Sequence, residues 1–283
     1  MTKDVNEIRA DVTAVAMKRG MAGIDNLLDL CASIGATIMF FFGAVGRLSM
    51  FAWQSIIHCF LPPYFGKQLL RQVIDIGYYS LPVVGLTATF TGMVLALQSY
   101  TGFTRFNAES AVATVVVLSI TRELSPVLAG LMVAGRVGAA IAAEIGTMRV
   151  TEQIDALVTL STNPFKYLVA PRLIAGVVML PILVLIGDII GVFGGYLVGV
   201  YSLGFNAASY LSQTIEFLEY SDVASGLWKA AAFGFIVVLM GTYHGYNSAR
   251  GAQGVGAATT NAVVSASILI LICNYLMTQM FFS

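Results

Sequence analysis

Four ionisable side chains interrupt the long apolar stretches of this sequence, and their types suit binding chemistry. Arg122 and Glu123 are adjacent and come shortly before Pro126. Asp188 and Lys229 lie alone in two later apolar segments. A charge at the centre of a membrane helix costs about 2.5–3.5 kcal/mol on insertion scales, so such groups normally face a bundle interior or a wet cavity. These four residues are therefore candidates for a polar site.

Two explanations of these charges stay open. They could be buried ion pairs that fix the register between helices, or they could line a cavity and meet a polar headgroup. Because neighbouring residues on a helix point about 100° apart, Arg122 and Glu123 are expected to find partners on other helices rather than on each other. The cavity assignment of Asp188 rests on the cost of burial alone.

The sequence predicts no catalytic residues, no metal site and no bound cofactor. His58 and His244 are far apart in the chain, and no serine has the G-x-S-x-G context of a nucleophile elbow. Cys31, Cys59 and Cys273 lie in apolar stretches without ligand spacing. The P-loop pattern G-x-x-x-x-G-K-[ST] is absent, so this chain is not expected to bind ATP by such a loop.

The composition indicates that the elements which carry these charges are membrane helices. Of 283 residues, 58% are hydrophobic and only 11% are charged. The mean hydropathy is +0.83, whereas a soluble domain is typically about 25% charged. The formal net charge is zero, which argues against nucleic acid, since such partners require a clustered basic surface.

We predict an all-α protein with five transmembrane helices. About 20 apolar residues cross a bilayer, and the predicted spans are residues 78–100, 109–143, 171–200, 225–246 and 261–282. Residues 1–20 are predicted to be a polar extension. Residues 21–77 are predicted to form an interfacial or re-entrant elbow helix and connecting helices, although residues 27–61 could instead cross as a sixth span. Residues 78–283 then form the transmembrane domain.

Basic residues in the short loops predict the orientation of these spans. Lysine and arginine collect in the N-terminal tail and in the loops after the second and fourth spans. These regions are therefore predicted to be cytoplasmic, which places the C-terminus on the other side. Glycines recur every four residues along the third span, at Gly187, Gly191, Gly195 and Gly199, and this spacing predicts close helix packing.

Residues 144–160 are predicted to form an amphipathic helix at the cytoplasmic turn between spans two and three. Its apolar face carries Ile154 and Leu157, and its polar residues are Glu144, Arg149, Glu152 and Asp155. Such a helix is suited to dock lipid headgroups or a groove on a soluble protein.

Several motifs resemble the MlaE permease family, the membrane subunits of Mla-type ABC lipid transporters. They are AGRVGAAIAAEIGTMRVTEQIDAL, FTGMVLALQ (Phe90–Gln98) and TRELSPVLAGL (Thr121–Leu131). With the late stretch HGYNSARGAQGVGAATTNAVV, they run in colinear order from about Gln68 to the C-terminus.

The resemblance implies partners and a cargo. It implies a homodimer in the bacterial inner membrane, seated on a cytoplasmic ABC ATPase that binds the ATP. It also implies an MCE-domain protein and a STAS-domain protein as partners. The cargo would be phospholipid, moved between the inner membrane and the outer envelope, and the C-terminus would be periplasmic.

Residue roles follow from the same resemblance. Residues 144–160 match the coupling helix of the family, Arg122 and Glu123 match the charged pair of its lipid cavity, and Lys229 matches a basic residue at the outer end. Asp188 has no matching role. Independently, a phospholipid needs an apolar route for its chains, which the following residues of span one are expected to line: Phe90, Met93, Val94 and Leu97.

An alternative from another class is a self-contained secondary transporter or channel. Glu123 and Asp188 would then be proton or cation sites. The sequence shows no inverted repeat and no matching pair of broken helices, which such transporters commonly contain. The ABC permease is therefore the favoured prediction.

Overall fold

A computed structural model describes residues 35–282, apart from residues 37, 41, 63, 64, 107, 109 and 110. The chain divides into two compact units, Met1–Ala52 and Trp53–Ser283. The predicted polar extension of residues 1–20, and the first part of the predicted elbow, lie outside the described residues.

The described residues form helices and no strands. Two short helices, α4 and α6, connect six long ones. In chain order the helices are α1 (Ile38–Phe60), α2 (Gly66–Phe103), α3 (Ala111–Val150), α4 (Gln153–Thr159), α5 (Phe165–Tyr201), α6 (Ala207–Phe217), α7 (Tyr220–Tyr246) and α8 (Ala252–Phe282).

Six of these helices are long and apolar enough to cross a membrane by length and composition. Five of them overlap the five predicted spans, and each extends past at least one predicted limit. Helix α3 begins at Ala111, two residues after the predicted start of the second span. The sixth is α1, which has 23 residues and coincides with the segment left open between an elbow and a span. Its length and composition alone would permit a crossing, so the elbow stays a prediction.

Helix α3 is continuous over 40 residues, but it contains two wider turns. The π-helical turns cover Ile120–Leu124 and Ala134–Gly138, and such turns are frequent at functional sites. Arg136, in the second turn, donates hydrogen bonds to the carbonyl oxygens of Asp75 at 2.8 Å and Tyr79 at 3.2 Å. Asp75 precedes the 3-10 turn that interrupts α2 at Tyr78–Ser80, and Tyr79 lies within that turn. Arg136 therefore ties α3 to the break in α2.

Glycines on α5 allow its neighbours to approach closely, which confirms the predicted packing role. A Cβ atom on Gly191 would lie 3.2 Å from the Ala88 carbonyl oxygen, and one on Gly195 would lie 2.7 Å from Val116 Cγ1. One on Gly199 would lie 2.8 Å from the Tyr210 ring. Because real Cβ contacts are longer than this, side chains at these positions would push α5 away from α2, α3 and α6.

Candidate functional site

The first π turn of α3 places Arg122 and Glu123 against α7 and α8. Pro126 follows in the next turn and has no backbone N–H, so the carbonyl of Arg122 cannot receive its usual helical hydrogen bond. Lys229 of α7 supplies the missing donor, because its Nζ donates to the Arg122 carbonyl oxygen at 2.9 Å. The proline and the lysine therefore act on the same backbone group.

Lys229 is fully buried, and all of its donors have acceptors. Besides the Arg122 carbonyl, its ammonium donates to Glu123 Oε1 at 2.7 Å and to Thr278 Oγ1 at 2.7 Å. A buried ammonium is tolerated only when it is paired and hydrogen-bonded in this way. The three contacts join α3, α7 and α8 at one point.

Glu123 also receives hydrogen bonds from α8. The Thr278 hydroxyl donates to Glu123 Oε1 at 2.7 Å, and Asn274 Nδ2 donates to Oε2 at 2.9 Å. Both carboxylate oxygens therefore have partners within the protein. This arrangement leaves little capacity for a bound ion at Glu123.

Arg122 forms the second ion pair of the cluster, with Asp222 of α7. Its Nη2 lies 2.6 Å from Asp222 Oδ1, and its Nε donates to the same oxygen at 2.7 Å. The other oxygen of Asp222 accepts a hydrogen bond from the Glu219 backbone N–H at 3.2 Å, within a capping box at the N-terminus of α7. The helix dipole further stabilises a carboxylate at this position.

Arg122 is the more accessible of the two cations. About a third of its side chain is exposed, 35%, while that of Asp222 is buried. The guanidinium carbon lies 4.6 Å from the centroid of the Phe282 ring, which provides a cation–π contact. The guanidinium is thus held by Asp222 at its edge and by Phe282 on one face, and the remainder of the group is exposed.

The Arg122–Asp222 and Glu123–Lys229 ion pairs together form one cluster without net charge. The ion-pair explanation drawn from the sequence required partners on other helices, and the structure supplies such partners on α7 and α8. Sequence reasoning missed the contributions of Asp222, Asn274 and Thr278. Two spacings hinted at them: Asp222 and Lys229 are seven residues apart on one helix face, and Asn274 and Thr278 are four apart.

The predicted apolar route lies on α2. Phe90, Val94 and Leu97 are exposed on this helix, and Met93 is half-buried. An apolar face exposed in one chain is suited to contact lipid or a second protein surface. Their role in guiding acyl chains stays a prediction.

The single helix expected over residues 144–160 is instead two helices. Glu144 belongs to the last part of α3, which continues to Val150 before the chain turns. Its carboxylate lies 2.8 Å from Nη2 of Arg172, a buried residue on α5 that also donates to the Leu168 carbonyl oxygen at 2.7 Å. The ion pair joins the end of α3 to α5.

The short helix α4 begins directly after a left-handed residue, Glu152, with φ 58°. Ile154 on α4 is buried and anchors the helix, whereas Leu157 is half-buried and Val158 is exposed. Arg149 and Asp155 form an ion pair at 2.9 Å across the turn. The segment thus presents a polar turn and an apolar patch beside it.

The described residues contain no group of three or more histidine, cysteine or acidic side chains that could hold a metal ion. The fold and the charged cluster together define a multi-pass membrane protein, the general form of a transporter subunit. The cluster lies where the N-terminal end of α7 meets the C-terminal end of α8.

Comparison with known proteins identifies the family. The family model described as Permease MlaE matches residues 69–280. The chain is 61% identical over 256 residues to a probable ABC transporter permease protein of Rickettsia felis, covering 90% of this chain and 99% of that one. It is 34% identical over 260 residues to the intermembrane phospholipid transport system permease protein MlaE of Haemophilus influenzae, covering 90% and 98%. The chain belongs to the MlaE permease family and is a membrane component of an ABC transporter, not an enzyme.

Proposed function

We propose that this chain is the permease subunit that moves phospholipids between the inner membrane and the outer envelope. ATP is bound and hydrolysed by a separate ATPase, and the chain itself holds no cofactor. The observation that carries this proposal is the family match over residues 69–280, together with a similar protein named for intermembrane phospholipid transport. The ion-pair cluster provides the polar groups that a phospholipid headgroup requires.

Within the cluster, Arg122 is proposed to contact the lipid phosphate, because it is the cation with an exposed surface. Arginine binds phosphate through several parallel N–H donors. Lys229 is buried and is proposed to position α3 against α7 and α8. Glu123 holds Lys229 in this arrangement.

The role of Arg122 can be separated from that of its ion pair. In the double variant Arg122→Ala/Asp222→Asn, no charge is left unpaired at this position, so the protein should remain folded. We expect phospholipid bound to the purified complex to fall about tenfold or more, the effect of losing a charge-assisted hydrogen bond. Native mass spectrometry measures this occupancy.

The matched control is Asp222→Asn alone, which keeps the guanidinium and should retain most of the lipid. If the double variant binds as much phospholipid as the unmodified protein, Arg122 serves only to hold helix register.

The turn between α3 and α5 is proposed to be the docking site of the ATPase. It carries the Arg149–Asp155 ion pair and the exposed apolar Val158. The side chains proposed to contact the ATPase or to hold this turn are Glu144, Arg149, Glu152, Ile154, Asp155 and Leu157. Since α3 is one helix from Arg122 to Val150, movement of the turn can reach the cluster through a single element.

Charge reversal tests this docking site. Arg149→Glu and Glu152→Lys should each reduce copurification of the ATPase and ATP-driven lipid transfer in liposomes by about tenfold. The stability of the permease should change by less than about 1 kcal/mol, because the affected charges are exposed. Thermal unfolding of the purified chain checks the second expectation, and Lys67→Glu, on the polar start of α2, is the control. Full ATPase binding by both variants would refute docking at this turn.

The wider assembly is also part of the proposal. A homodimer would sit in the bacterial inner membrane with an MCE-domain and a STAS-domain protein as further partners. In this arrangement α1 is the elbow, the N-terminus is cytoplasmic and the C-terminus is periplasmic.

The alternative secondary transporter is disfavoured because both oxygens of Glu123 already accept hydrogen bonds. Ion-driven flux in liposomes holding only this chain would reverse that preference.

A further inference from the structure

A polar cavity lies between α2 and α3, apart from the ion-pair cluster. It is also separate from Asp188, which is buried on α5 with the Ser125 hydroxyl beside it. The volume of the cavity is about 230 Å³, below the range of about 300–1,000 Å³ that encloses a drug-sized ligand. Its polar lining residues are Gln72, Asp75, Tyr79, Arg136 and Glu144. A cavity of this size and lining admits a small polar group rather than a whole lipid molecule.

The cavity and the ion-pair cluster are about one membrane thickness apart along α3. With a rise of about 1.5 Å per residue, Arg136 lies about 21 Å from Arg122 and Glu144 lies about 33 Å from it. The hydrocarbon core of a bilayer is about 30 Å thick. Lys67 and Arg71, on the first turns of α2, are exposed, as is usual for cations at the membrane surface. The cavity is therefore at the level of lipid headgroups, on the opposite face of the membrane from the cluster.

Two acceptors in the cavity have no donor among the described residues. Gln72 is only 4% exposed, yet its side-chain amide forms no hydrogen bond in this part of the chain. Asp75 lies three residues further along the same helix face. Its Oδ2 is 3.9 Å from Arg71 Nε, which is beyond hydrogen-bond distance. Because an unpaired buried amide is costly, both groups are suited to accept hydrogen bonds from a ligand.

Arg136 places donors beside these acceptors. Its guanidinium carries five N–H groups, and three of them are used by the backbone. Two donate to the Asp75 carbonyl oxygen at 2.8 and 3.3 Å, and one donates to that of Tyr79 at 3.2 Å. Since the guanidinium contacts the same residue that carries the free carboxylate, one small ligand can reach both groups. Glu144 is two helical turns further along α3 and pairs with Arg172, so it contributes charge rather than a direct contact.

We infer that this cavity binds the headgroup of a phospholipid that carries a primary ammonium group, while the acyl chains stay in the bilayer. The ammonium donates to the Asp75 carboxylate and to the Gln72 amide oxygen, and the phosphate accepts from the two remaining N–H groups of Arg136. Two carboxylates and one guanidinium line the cavity, which disfavours a headgroup with net negative charge. A quaternary ammonium group has no N–H to donate. The inference rests on the proposed function in that phospholipid is the ligand, but it adds a second site.

Photolabelling of the purified full-length protein in detergent tests this inference. Asp75 is half exposed, so lipid in this open cavity exchanges with detergent, and the probes are added after purification. Three phospholipid probes share the same chains, with a diazirine next to the glycerol, and carry an ethanolamine, choline or glycerol headgroup. Peptide mapping should locate the ethanolamine probe on residues 72–86 and 129–144. Its labelling there should exceed that of the other two probes about fivefold or more, the effect of hydrogen bonds to charged groups.

Variants identify the groups that recognise the ammonium. Asp75→Asn should reduce labelling by the ethanolamine probe about tenfold, and Gln72→Leu about threefold, while labelling by the glycerol probe should not fall. If Gln72→Leu does not fold, Asp75→Asn decides the result, because it changes a half-exposed side chain. Glu216→Gln, which removes an exposed acidic group on α6, is the matched control and should change nothing.

Three outcomes would overturn the inference. Equal labelling by the three probes means that the cavity is only a surface in contact with surrounding lipid. A preference for the glycerol probe means that the guanidinium alone selects the headgroup. Labelling by the ethanolamine probe that is unchanged in Asp75→Asn means that the ammonium is not recognised there.

The double variant Arg122→Ala/Asp222→Asn separates this inference from the proposed function. It alters only the ion-pair cluster, so labelling at residues 72–86 and 129–144 should be retained. If that variant keeps its bound phospholipid, the proposed role of Arg122 fails while this inference stands. If the unmodified protein is not labelled at these residues, this inference fails while the role of Arg122 stands.

Discussion

Replacing Glu123 with leucine should lower the melting temperature of the purified protein by about 6–20 °C. The variant leaves the Lys229 ammonium, which is fully buried, without its carboxylate partner. Removing one partner of a buried pair costs about 3–5 kcal/mol, and each kcal/mol corresponds to about 2–4 °C in a protein of this size. Thermal unfolding in detergent, followed by intrinsic fluorescence, measures the shift.

The double variant Glu123→Leu/Lys229→Met is the matched control. It removes both charges and replaces them with apolar groups of similar volume, so most of the lost stability should return. If the single and double variants melt at the same temperature, the ion pair does not hold α3 to α7. Glu123→Gln should fall between them because it keeps an acceptor for Lys229.

Replacing Gly92 with alanine should destabilise the protein by about 3 kcal/mol, the upper end of the range for overpacked cores. A Cβ atom at this position would overlap the backbone carbonyl of Gly191 on α5. A flexible side chain could move aside, but a helix backbone cannot. We expect the melting temperature to fall by about 6–12 °C, which thermal unfolding measures.

Gly102→Ala, on the same helix, provides the control for helix propensity. No atom lies within 4 Å of a Cβ at Gly102, so this change should be neutral or stabilise α2 by about 0.5–1 kcal/mol. An equal loss of stability in both variants would mean that the crossing of α2 and α5 is not the cause.

Apolar composition was sufficient to locate the long helices, since no other element satisfies its backbone hydrogen bonds within a membrane. The residues at which the helices begin and end were harder to predict. At Glu144 the sequence turns polar, yet α3 continues to Val150, since glutamate is a good helix former and pairs here with Arg172 of another helix. The actual turn depends on the left-handed backbone of Glu152, which no spacing of apolar residues indicates.

The candidate site was predictable only in part. Charges at positions 122, 123 and 229 stood out because the surrounding residues are apolar. Their partner Asp222 did not, because it lies among the acidic residues of a loop and its pairing spans 100 residues of sequence. Asn274 and Thr278 are uncharged residues of a kind that is common in membrane helices. Only the fold therefore identifies them as hydrogen-bond donors to Glu123.

The two π turns have a consequence for how the ends of α3 are oriented. Each π turn accommodates one more residue than an α-helical turn, and one residue corresponds to a rotation of about 100° around the helix axis. The turn at Ile120–Leu124 therefore sets the azimuth of Arg122, and the turn at Ala134–Gly138 sets that of Glu144 independently. Deleting one residue from the second turn would rotate Glu144 away from Arg172 while the Arg122 end kept its alignment. The number of residues between the two ends of α3, as well as their identity, thus determines whether Arg122 and Glu144 can contact their partners at the same time.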